Sequence, residues 1–286
     1  MKPPPFRYHD PRTVEEALGL LAEHGDEARL LAGGQSLVPL LNLRRVRPRV
    51  LIDLNRVEGL DGVDAGAGVV RTGALARAVG VERAPAVASA LPVLPEALLH
   101  VAYPQVRTRT TIGGNVAHAD PAAELPAVLA AVGGDVRLRS AGGQRTLGWS
   151  AFFSGRHRTA CRPDEMVVAV DFPVAEGFAY TFSELTPKLG SFAIVGACVG
   201  LSRSGDEVTG ARIALCGVAD TPVRLQAAEQ RLTGGAVDAA ALEDVRALVA
   251  GAIDPPGDLH APGGYRSHVA GVLVVRGLRR LWGAPA

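Results

Sequence analysis

Cysteine is scarce in this sequence, and its placement argues against several kinds of site. The three cysteines are Cys161, Cys198 and Cys216, and no two of them have the CxxC spacing. A disulfide framework, a zinc site and an iron–sulfur cluster all need cysteines that are closer or more numerous. We therefore expect these three side chains to be small buried hydrophobes.

Long apolar runs and an excess of either charge are also missing. The chain has 30 Lys and Arg against 29 Asp and Glu, a formal net charge of +1, so no overall field attracts nucleic acid or an acidic membrane. The segment 1–10 contains three prolines and no apolar core, unlike a signal peptide, and no later run could span a bilayer. We expect a cytoplasmic protein that binds no nucleic acid and does not insert into membranes.

The chain does have enough apolar residues for several folded units. With 286 residues and 48% hydrophobic content, it can form two or three domains with filled cores. Thr13 and Glu16 form a capping box at the start of the first helix, and Gly25 provides its stop. A strand, a helix and a strand are predicted next, at 28–32, 37–43 and 50–54. The opening region therefore predicts alternating strands and helices.

Coarser patterns cover the middle of the chain. Residues 62–68 are glycine-rich and predict a turn, and helical stretches dominate from there to His100. The apolar run 125–132 predicts a buried helix. Further strands are predicted at 69–72, 136–139, 166–172, 193–201 and 212–216.

The last third of the sequence has a different character. Thr221 and Pro222 resemble an N-cap followed by proline at the first helical position, which predicts a helix that ends near Gly234. Two more helices are predicted near 238–252 and 265–282. We expect a small α+β domain that begins near Ala175, with two strands before its helices.

Two glycine loops are the candidate anion-binding segments of the sequence. The segment Ala32-Gly33-Gly34-Gln35-Ser36 leaves a strand and enters a helix, and Thr111-Ile112-Gly113-Gly114-Asn115 contains a similar set of small and polar residues. The diphosphate of a dinucleotide needs backbone N–H donors at close range, which glycine turns and helix N-termini present without steric conflict. The loops could hold such an anion, with a hydroxyl, glycine amides and the Asn115 side chain as donors. Each could equally be an ordinary tight turn.

Established phosphate and nucleophile motifs do not describe these loops. Neither segment matches GxGxxG or GxxxxGK[ST], so a Rossmann domain or a nucleotide triphosphatase is not supported. Ser36 does not lie in a GxSxG elbow, so the sequence does not indicate a serine hydrolase. An anion would have to be held in another way.

Longer segments around the loops carry a specific resemblance. They are Ala32 to Leu37 (AGGQSL), Thr72 to Leu75, Thr111 to Pro126 (TIGGNVAHADPAAELP) and Ser183 to Ala193. The first and third resemble the two FAD-binding signatures of the medium subunit of the carbon monoxide dehydrogenase and xanthine dehydrogenase family. The second is similar to the segment that connects those signatures, and the fourth to the later flavin-contacting loop. The resemblance covers essentially the whole chain.

The resemblance implies an α+β protein with a PCMH-type FAD-binding fold. An N-terminal α/β unit (1–57) and a central α+β domain (58–174) would clasp the FAD between them. A small C-terminal α+β domain (175–286), of the CO dehydrogenase flavoprotein C-terminal type, would cover part of it. The two glycine loops would then converge on one FAD diphosphate.

The resemblance also implies which residues bind FAD. Those of the two signatures are Ala32, Gly33, Gly34, Gln35, Ser36, Leu37, Thr111, Ile112, Gly113, Gly114 and Asn115. Glu124 matches an acidic position directed at the ribose or ribityl hydroxyls, although a solvated carboxylate at a helix start would look identical. Arg107 and Arg109 could offset phosphate charge or could be exposed arginines at a turn.

His118 and Asp120 are two residues apart, which allows more than one interpretation. They could be metal ligands or an acid–base pair, but no third ligand with metal-site spacing is evident nearby. In the resembled family the position of His118 lies beside the FAD. We therefore expect His118 and Asp120 to contact the flavin cofactor, and we expect no metal site.

Lys188 is one of only two lysines in the chain, and with Phe192 it lies in a loop that resembles the family's flavin-contacting loop. A cation near N1 and C2=O of the ring would stabilise the anionic reduced flavin, although a surface lysine is the alternative. Phe192 matches an aromatic position beside the isoalloxazine ring in some relatives, or it is ordinary core. Ser191 replaces the family's common aspartate, which puts the hydrogen bonding of this loop in doubt.

The function implied by the resemblance is electron transfer within a complex. A large partner would bind molybdopterin and a small partner would carry two [2Fe–2S] clusters, and electrons would pass from molybdenum through the clusters to FAD. A quinone, NAD⁺ or oxygen would then accept them, and the substrate is chosen by the large subunit. No residue of this chain is expected to act as an acid, base or nucleophile.

Two other functions remain open on the sequence. One is a self-contained flavin enzyme of the same fold, such as an alcohol oxidase or the reductase that makes muramic acid precursors, against which the short C-terminal domain argues. The other is a non-catalytic FAD-binding or assembly module.

Overall fold

The computed structural model describes residues 2–283 and consists of two antiparallel sheets, a smaller parallel sheet and a two-stranded hairpin. Within these residues the strands are β1 (Arg7–His9), β2 (Ala28–Leu31), β3 (Val50–Asp53), β4 (Val63–Gly66), β5 (Val69–Gly73), β6 (Asp135–Ser140), β7 (Gly143–Gly148), β8 (Phe153–Gly155), β9 (Arg158–Thr159), β10 (Met166–Pro173), β11 (Phe178–Leu185), β12 (Val195–Ser204), β13 (Glu207–Cys216) and β14 (Val223–Arg224). The helices are α1 (Val14–His24), α2 (Leu37–Asn42), α3 (Ala78–Glu82), α4 (Pro85–Ala90), α5 (Val93–His100), α6 (Pro104–Arg107), α7 (Ile112–His118), α8 (Glu124–Val132), α9 (Trp149–Phe152), α10 (Gln226–Leu232), α11 (Ala239–Ala252) and α12 (Gly263–Trp282).

The N-terminal unit is a parallel sheet in the order β1-β3-β2, with α1 packed on it. The capping box predicted for α1 is present, because Thr13 Oγ1 accepts a hydrogen bond from Glu16 N at 3.1 Å and the Glu16 carboxylate accepts from Thr13 N at 3.4 Å. Gly25 ends the helix as predicted. This local order places the end of β2, and the glycine loop after it, beside the end of β3.

The central unit is an antiparallel sheet in the order β4-β5-β10-β6-β7, and the buried helix predicted near 125–132 is α8. The turn predicted at 62–68 is wrong in part, because Val63–Gly66 pairs with β5 as an edge strand. Its residues are mostly exposed. The strand has only four residues, and the three glycines at 62, 66 and 68 around it gave the stronger signal, that of a turn.

The C-terminal unit is an antiparallel sheet in the order β11-β12-β13-β14, covered by α10, α11 and α12. The expectation of two strands is wrong, since four are present. The helix predicted from Thr221 begins only at Gln226. Arg224 keeps the preceding segment extended, because its guanidinium contacts Glu229 and donates to the Ala130 carbonyl oxygen at 3.0 Å, while β14 pairs with β13.

One hydrophobic core is shared by the central helices and the C-terminal sheet. Cys198 and Cys216 are buried in the same cluster as Leu125, as the sequence analysis expected, whereas Cys161 is only partly buried. Polar contacts add to this junction, since Arg212 donates to the Val132 carbonyl oxygen at 2.9 Å. Across the stretch 2–283, no helix has the length and apolar character needed to cross a membrane.

Candidate cofactor-binding site

The two glycine loops, far apart in sequence, touch in the structure. Gly33 is buried, and a Cβ placed on it would lie 2.1 Å from the carbonyl oxygen of Arg109. Arg109 Nε in turn donates to the Gly33 carbonyl oxygen at 3.5 Å. A Cβ on Gly114 would lie 3.5 Å from the Cβ of Ala32. The first loop therefore packs directly on the second loop and on the residues that lead into it.

Asn55 and Arg77 connect the two loops through hydrogen bonds. Arg77 donates to the Arg109 carbonyl oxygen at 2.6 Å and to Asn55 Oδ1 at 2.5 Å, and Asn55 Nδ2 donates to the Ala32 carbonyl oxygen at 2.9 Å. Burial lowers the pKa of Arg77, and the Arg109 charge lowers it further. Neither residue was identified from the sequence. Only Asn55 offered a signal, its position after the end of β3, where polar residues of α/β units often contribute to a site.

The first loop presents a row of free backbone donors. From Gly33 to Leu37, no peptide N–H is hydrogen-bonded to another residue within 2–283. Gly34 has a φ of +77°, a left-handed conformation that side chains rarely adopt. Ser36 occupies the N-cap of α2, yet its hydroxyl makes no capping bond. Free amides clustered in one turn form an anion-binding concavity.

The second loop is organised differently from the expectation, because α7 already begins at Ile112. Thr111 is its N-cap, and Thr111 Oγ1 accepts a hydrogen bond from Gly114 N at 3.2 Å. The N–H groups of Ile112 and Gly113 donate to the carbonyl oxygens of Ala76 and Ala74 at 2.9 and 3.0 Å. The expectation that both glycine amides are free donors is therefore wrong.

Gly113 and Asn115 have distinct roles in this second loop. A Cβ on Gly113 would lie 2.6 Å from both Cα and Cβ of Ala74, so glycine is needed there for α7 to pack on the end of β5. Asn115 Oδ1 is buried and has no hydrogen-bond partner among the described residues. A buried acceptor of this kind is costly unless a ligand or water donates to it.

His118 and Asp120 lie together at the end of α7, and a third polar side chain joins them. His118 Nε2 is 4.0 Å from Asp120 Oδ2, and the His157 ring lies 4.6 Å from the His118 ring. One potential ligand atom from each of the three lies within 4.8 Å of the others. The pKa of His118 is lowered mainly by burial and secondly by His157. Sequence spacing could not reveal His157, which comes from the hairpin of β8 and β9.

Glu124 is buried at the start of α8, so the alternative of a solvated carboxylate is wrong. Burial is the main cause that raises its pKa to about 8, and the charge of Glu184 adds to it. The Glu184 side chain is itself only 4% exposed, with Oε1 3.4 Å from His100 Nδ1. Its Oε2 is buried without a partner in the part of the chain that is described. Glu184 was not singled out from the sequence, because its charge comes near Glu124 only through folding.

Lys188 and Phe192 lie on the exposed loop between β11 and β12. Phe192 is 70% exposed, so the alternative of an ordinary core residue is wrong. The loop packs on the ring of Tyr103, which a Cβ on Gly190 would approach to 2.8 Å. Ser191 N donates to the Lys188 carbonyl oxygen at 3.1 Å, which closes a turn. Within 2–283 no hydrogen bond joins this loop to either glycine loop.

The two arginines considered for phosphate binding separate in the structure. Arg107 is buried, and its guanidinium donates to Glu82 at 2.7 Å and to the carbonyl oxygens of Val101 and Ala102, both at 3.2 Å. The guanidinium of Arg107 therefore stabilises the fold through these bonds. Arg109 stays exposed beside Gly33 and is the one of the pair that remains near the free amides.

An α/β unit whose free amides lie beside a second glycine segment is the arrangement expected of a protein that binds the diphosphate of a dinucleotide. Residues 4–175 match the family model described as the FAD binding domain in molybdopterin dehydrogenase, and residues 180–281 match that of the CO dehydrogenase flavoprotein C-terminal domain. The chain belongs to this family of FAD-binding subunits of molybdenum hydroxylases.

Individual relatives span the full chain. The carbon monoxide dehydrogenase medium chain of Hydrogenophaga pseudoflava is 37% identical over 99% of both sequences. Subunit alpha of the 6-hydroxypseudooxynicotine dehydrogenase complex of Paenarthrobacter nicotinovorans is 38% identical over 98% of this chain and 95% of that subunit. A solved structure of the Hydrogenophaga carbon monoxide dehydrogenase, lacking the Mo-pyranopterin moiety of its molybdenum cofactor, superposes with a TM-score of 0.96 at 38% identity and covers 100% of both chains.

These findings confirm the resemblance stated from the sequence. The fold is an α+β FAD-binding fold followed by a CO dehydrogenase-type C-terminal unit, and FAD is the cofactor of this chain. The protein is an oxidoreductase flavoprotein, and its relatives are subunits of multi-subunit molybdenum hydroxylase complexes.

Proposed function

We propose that this chain holds the FAD diphosphate on the loop from Gly33 to Leu37, and that this is how it serves as the electron-transferring subunit of its complex. The supporting observation is the row of backbone N–H groups without an acceptor among residues 2–283. A diphosphate supplies several acceptor oxygens and two negative charges, which match such a row. The hydroxyl of Ser36, which makes no capping bond, adds a further donor at the same turn.

The second loop contributes shape and one unsatisfied side chain. Because the amides of Ile112, Gly113 and Gly114 are bonded within the protein, their role is to fix the start of α7, the first two of them by binding to the segment that follows β5. Thr111 retains a hydroxyl proton that can be donated, since its oxygen is used only as an acceptor. Asn115 Oδ1 would accept a hydrogen bond from a hydroxyl group of the cofactor.

The flavin end of the cofactor is assigned to the residues that follow α7 and to the β11–β12 loop. His118, Asp120 and Glu124 line the end of α7 and the start of α8, and Glu124 is protonated at neutral pH because its pKa is about 8. A protonated carboxyl can donate as well as accept a hydrogen bond. Lys188 and Phe192, both exposed, would close over the ring.

When bound, FAD accepts and releases electrons, and this chain supplies its position and electrostatic surroundings. The proposed partners are a large molybdopterin-binding subunit and a small [2Fe–2S] subunit, with a quinone, NAD⁺ or oxygen as the final acceptor. The relative from Paenarthrobacter is likewise one subunit of a dehydrogenase complex. The three cysteines form no disulfide, as is typical of the cytoplasm, where we place the complex.

Ser36→Ala tests the loop assignment with little risk to the fold. The hydroxyl makes no capping bond in this structure, so the unfolding midpoint of the FAD-free chain should not change. The Kd for FAD, measured by fluorescence titration, should rise about three- to tenfold, the equivalent of one hydrogen bond. Ser89→Ala, at an exposed serine of α4 outside both glycine loops, is the control. Equal affinities for the two variants would contradict the loop assignment.

The assignment to an electron-transferring subunit needs a second experiment. The chain is co-expressed with candidate large molybdopterin-binding and small [2Fe–2S] subunits, the partners proposed above, and reduction of its flavin is followed by absorbance after substrate is added. Flavin reduction is expected only when the partners are present. A chain that binds FAD and is never reduced in the complex would instead be a non-catalytic module, and turnover without partners would indicate a stand-alone oxidoreductase.

A further inference from the structure

His157, in the hairpin of β8 and β9, makes hydrogen bonds to the end of α7. Its backbone N–H donates to the Ala119 carbonyl oxygen at 3.0 Å, and its ring nitrogen Nδ1 lies 3.2 Å from the His118 carbonyl oxygen. The rings of His157 and His118 also lie side by side, with centroids 4.6 Å apart and planes tilted by 34°. Backbone and side chain of His157 therefore both hold the same two residues.

The conformation at this contact is unusual on both sides. Ala119 has a φ of 49° and His157 a φ of 53°, so two residues with side chains meet in the left-handed region. Such conformations cost free energy and persist where the surrounding structure fixes them, often at functional sites. The left-handed turn at Ala119 is also what brings Asp120 back to within 4.0 Å of the His118 ring.

The hydrogen bond to a carbonyl oxygen fixes the His157 ring as well as the backbone. A carbonyl oxygen can only accept, so Nδ1 must carry the proton that it donates. The tautomer and orientation of the ring follow from that bond, as they do for histidines braced by a backbone carbonyl. The His118 ring thus lies beside the fixed ring of His157, and its Nε2 is 4.0 Å from the carboxylate of Asp120.

We propose that His157 is a positioning residue for the cofactor site, acting through His118 and Asp120. It fixes the end of α7 and the two side chains there in the orientation that the flavin cofactor meets. This inference rests on the proposed function, in which His118 and Asp120 lie beside bound FAD. His157 lies on another hairpin and is assigned no contact with the cofactor itself.

Three substitutions distinguish the effect of the His157 ring from the effect of its left-handed backbone conformation. His157→Gly accepts the left-handed φ without strain and lacks the ring. His157→Ala lacks the ring and keeps the strain. His157→Asn tolerates the left-handed φ, and its side-chain amide can donate to the His118 carbonyl oxygen. Arg158→Ala, at the next and equally exposed residue of the hairpin, is the matched control.

The full-length chain is titrated with FAD, and the visible circular dichroism of the bound flavin and the unfolding midpoint of the FAD-free protein are recorded. We expect the Gly and Ala variants to bind FAD about three- to tenfold more weakly than wild type. Their flavin spectra should change, and the Asn variant should recover most of both effects. The control should match wild type.

The outcomes are distinguishable. If the Gly variant binds FAD as wild type does and only the Ala variant is weakened, backbone strain explains the effect and the positioning role of the ring is refuted. A lower unfolding midpoint with unchanged FAD affinity and flavin spectrum refutes it too, because His157 is then merely structural. Failure of wild type to bind FAD would overturn the proposed function, and this inference with it.

Discussion

Replacing Gly33 with alanine tests the contact between the two glycine loops. The added methyl carbon would lie 2.1 Å from the Arg109 carbonyl oxygen and 2.9 Å from its carbonyl carbon. Carbon and oxygen atoms in close contact are ordinarily about 3.3 Å apart. The loops must therefore separate by about 1.2 Å, and the obstacle is backbone that cannot rotate away as a flexible side chain would.

The expected free-energy cost of this overpacking is about 1–3 kcal/mol. If the FAD-free protein retains the strain, its free energy of unfolding falls by that amount. If the first loop moves instead, its free amides lose their position and the Kd for FAD rises by about 5- to 150-fold. Both effects come from the same overpacking. We therefore expect the loss of unfolding free energy and the loss of FAD binding free energy to add up to about 1–3 kcal/mol.

Gly80→Ala is the control for the chemical change itself. Gly80 lies within α3, and a Cβ there meets no atom within 4 Å. Alanine in place of an exposed helical glycine should stabilise the protein by about 0.5–1 kcal/mol and leave FAD binding unchanged. The two glycine-to-alanine changes are thus expected to have opposite signs.

Urea unfolding of the FAD-free chains and fluorescence titration with FAD provide the two measurements. The reasoning is refuted if Gly33→Ala matches Gly80→Ala in both the free energy of unfolding and the Kd. That result would mean that the loops do not touch in solution, and the shared diphosphate site would lose its geometric basis.

Three further predictions concern charges and polar atoms of the site. The folded-state pKa of Glu124, about 8, exceeds its ordinary value of 4.5, so the native state should lose stability as the pH rises between these values. Glu184→Gln removes the neighbouring charge and should reduce this loss, which urea unfolding of the FAD-free chain at pH 5 and pH 9 would measure; equal losses would contradict the coupling. Lys188→Ala should lower the flavin midpoint potential without changing the unfolding midpoint, and an unchanged potential would remove Lys188 from the site. Asn115→Asp should weaken FAD binding more at low salt than at high salt, because it adds a negative charge near the diphosphate; a salt-independent Kd would place the diphosphate elsewhere.

Features that depend on neighbours in the sequence were predictable. The capping box of Thr13 and Glu16 and the stop at Gly25 lie within one helix, so the sequence contains all their determinants. The two glycine loops were likewise recognised by composition and by their resemblance to known signatures. The sequence could not show that the amides of Ile112 and Gly113 are already bonded, because their acceptors at Ala76 and Ala74 come near only through folding.

Features that depend on distant contacts were missed for one physical reason. Asn55, Arg77, His157 and Glu184 each act on a segment brought near only by folding. None of them belongs to a motif with fixed spacing. The edge strand β4 was missed for a related reason, because its four residues are defined as a strand by pairing with β5 and are surrounded by glycines that predict a turn.

The glycines of the two signatures have different structural roles. Gly33 allows one backbone to touch another, Gly34 supplies a left-handed turn, and Gly113 makes room for Ala74 of the neighbouring segment. Two of these three roles concern protein packing and would exist without any phosphate. A Gly-Gly signature in this fold therefore specifies first how two distant segments meet, and the free amides of the first loop follow from that meeting.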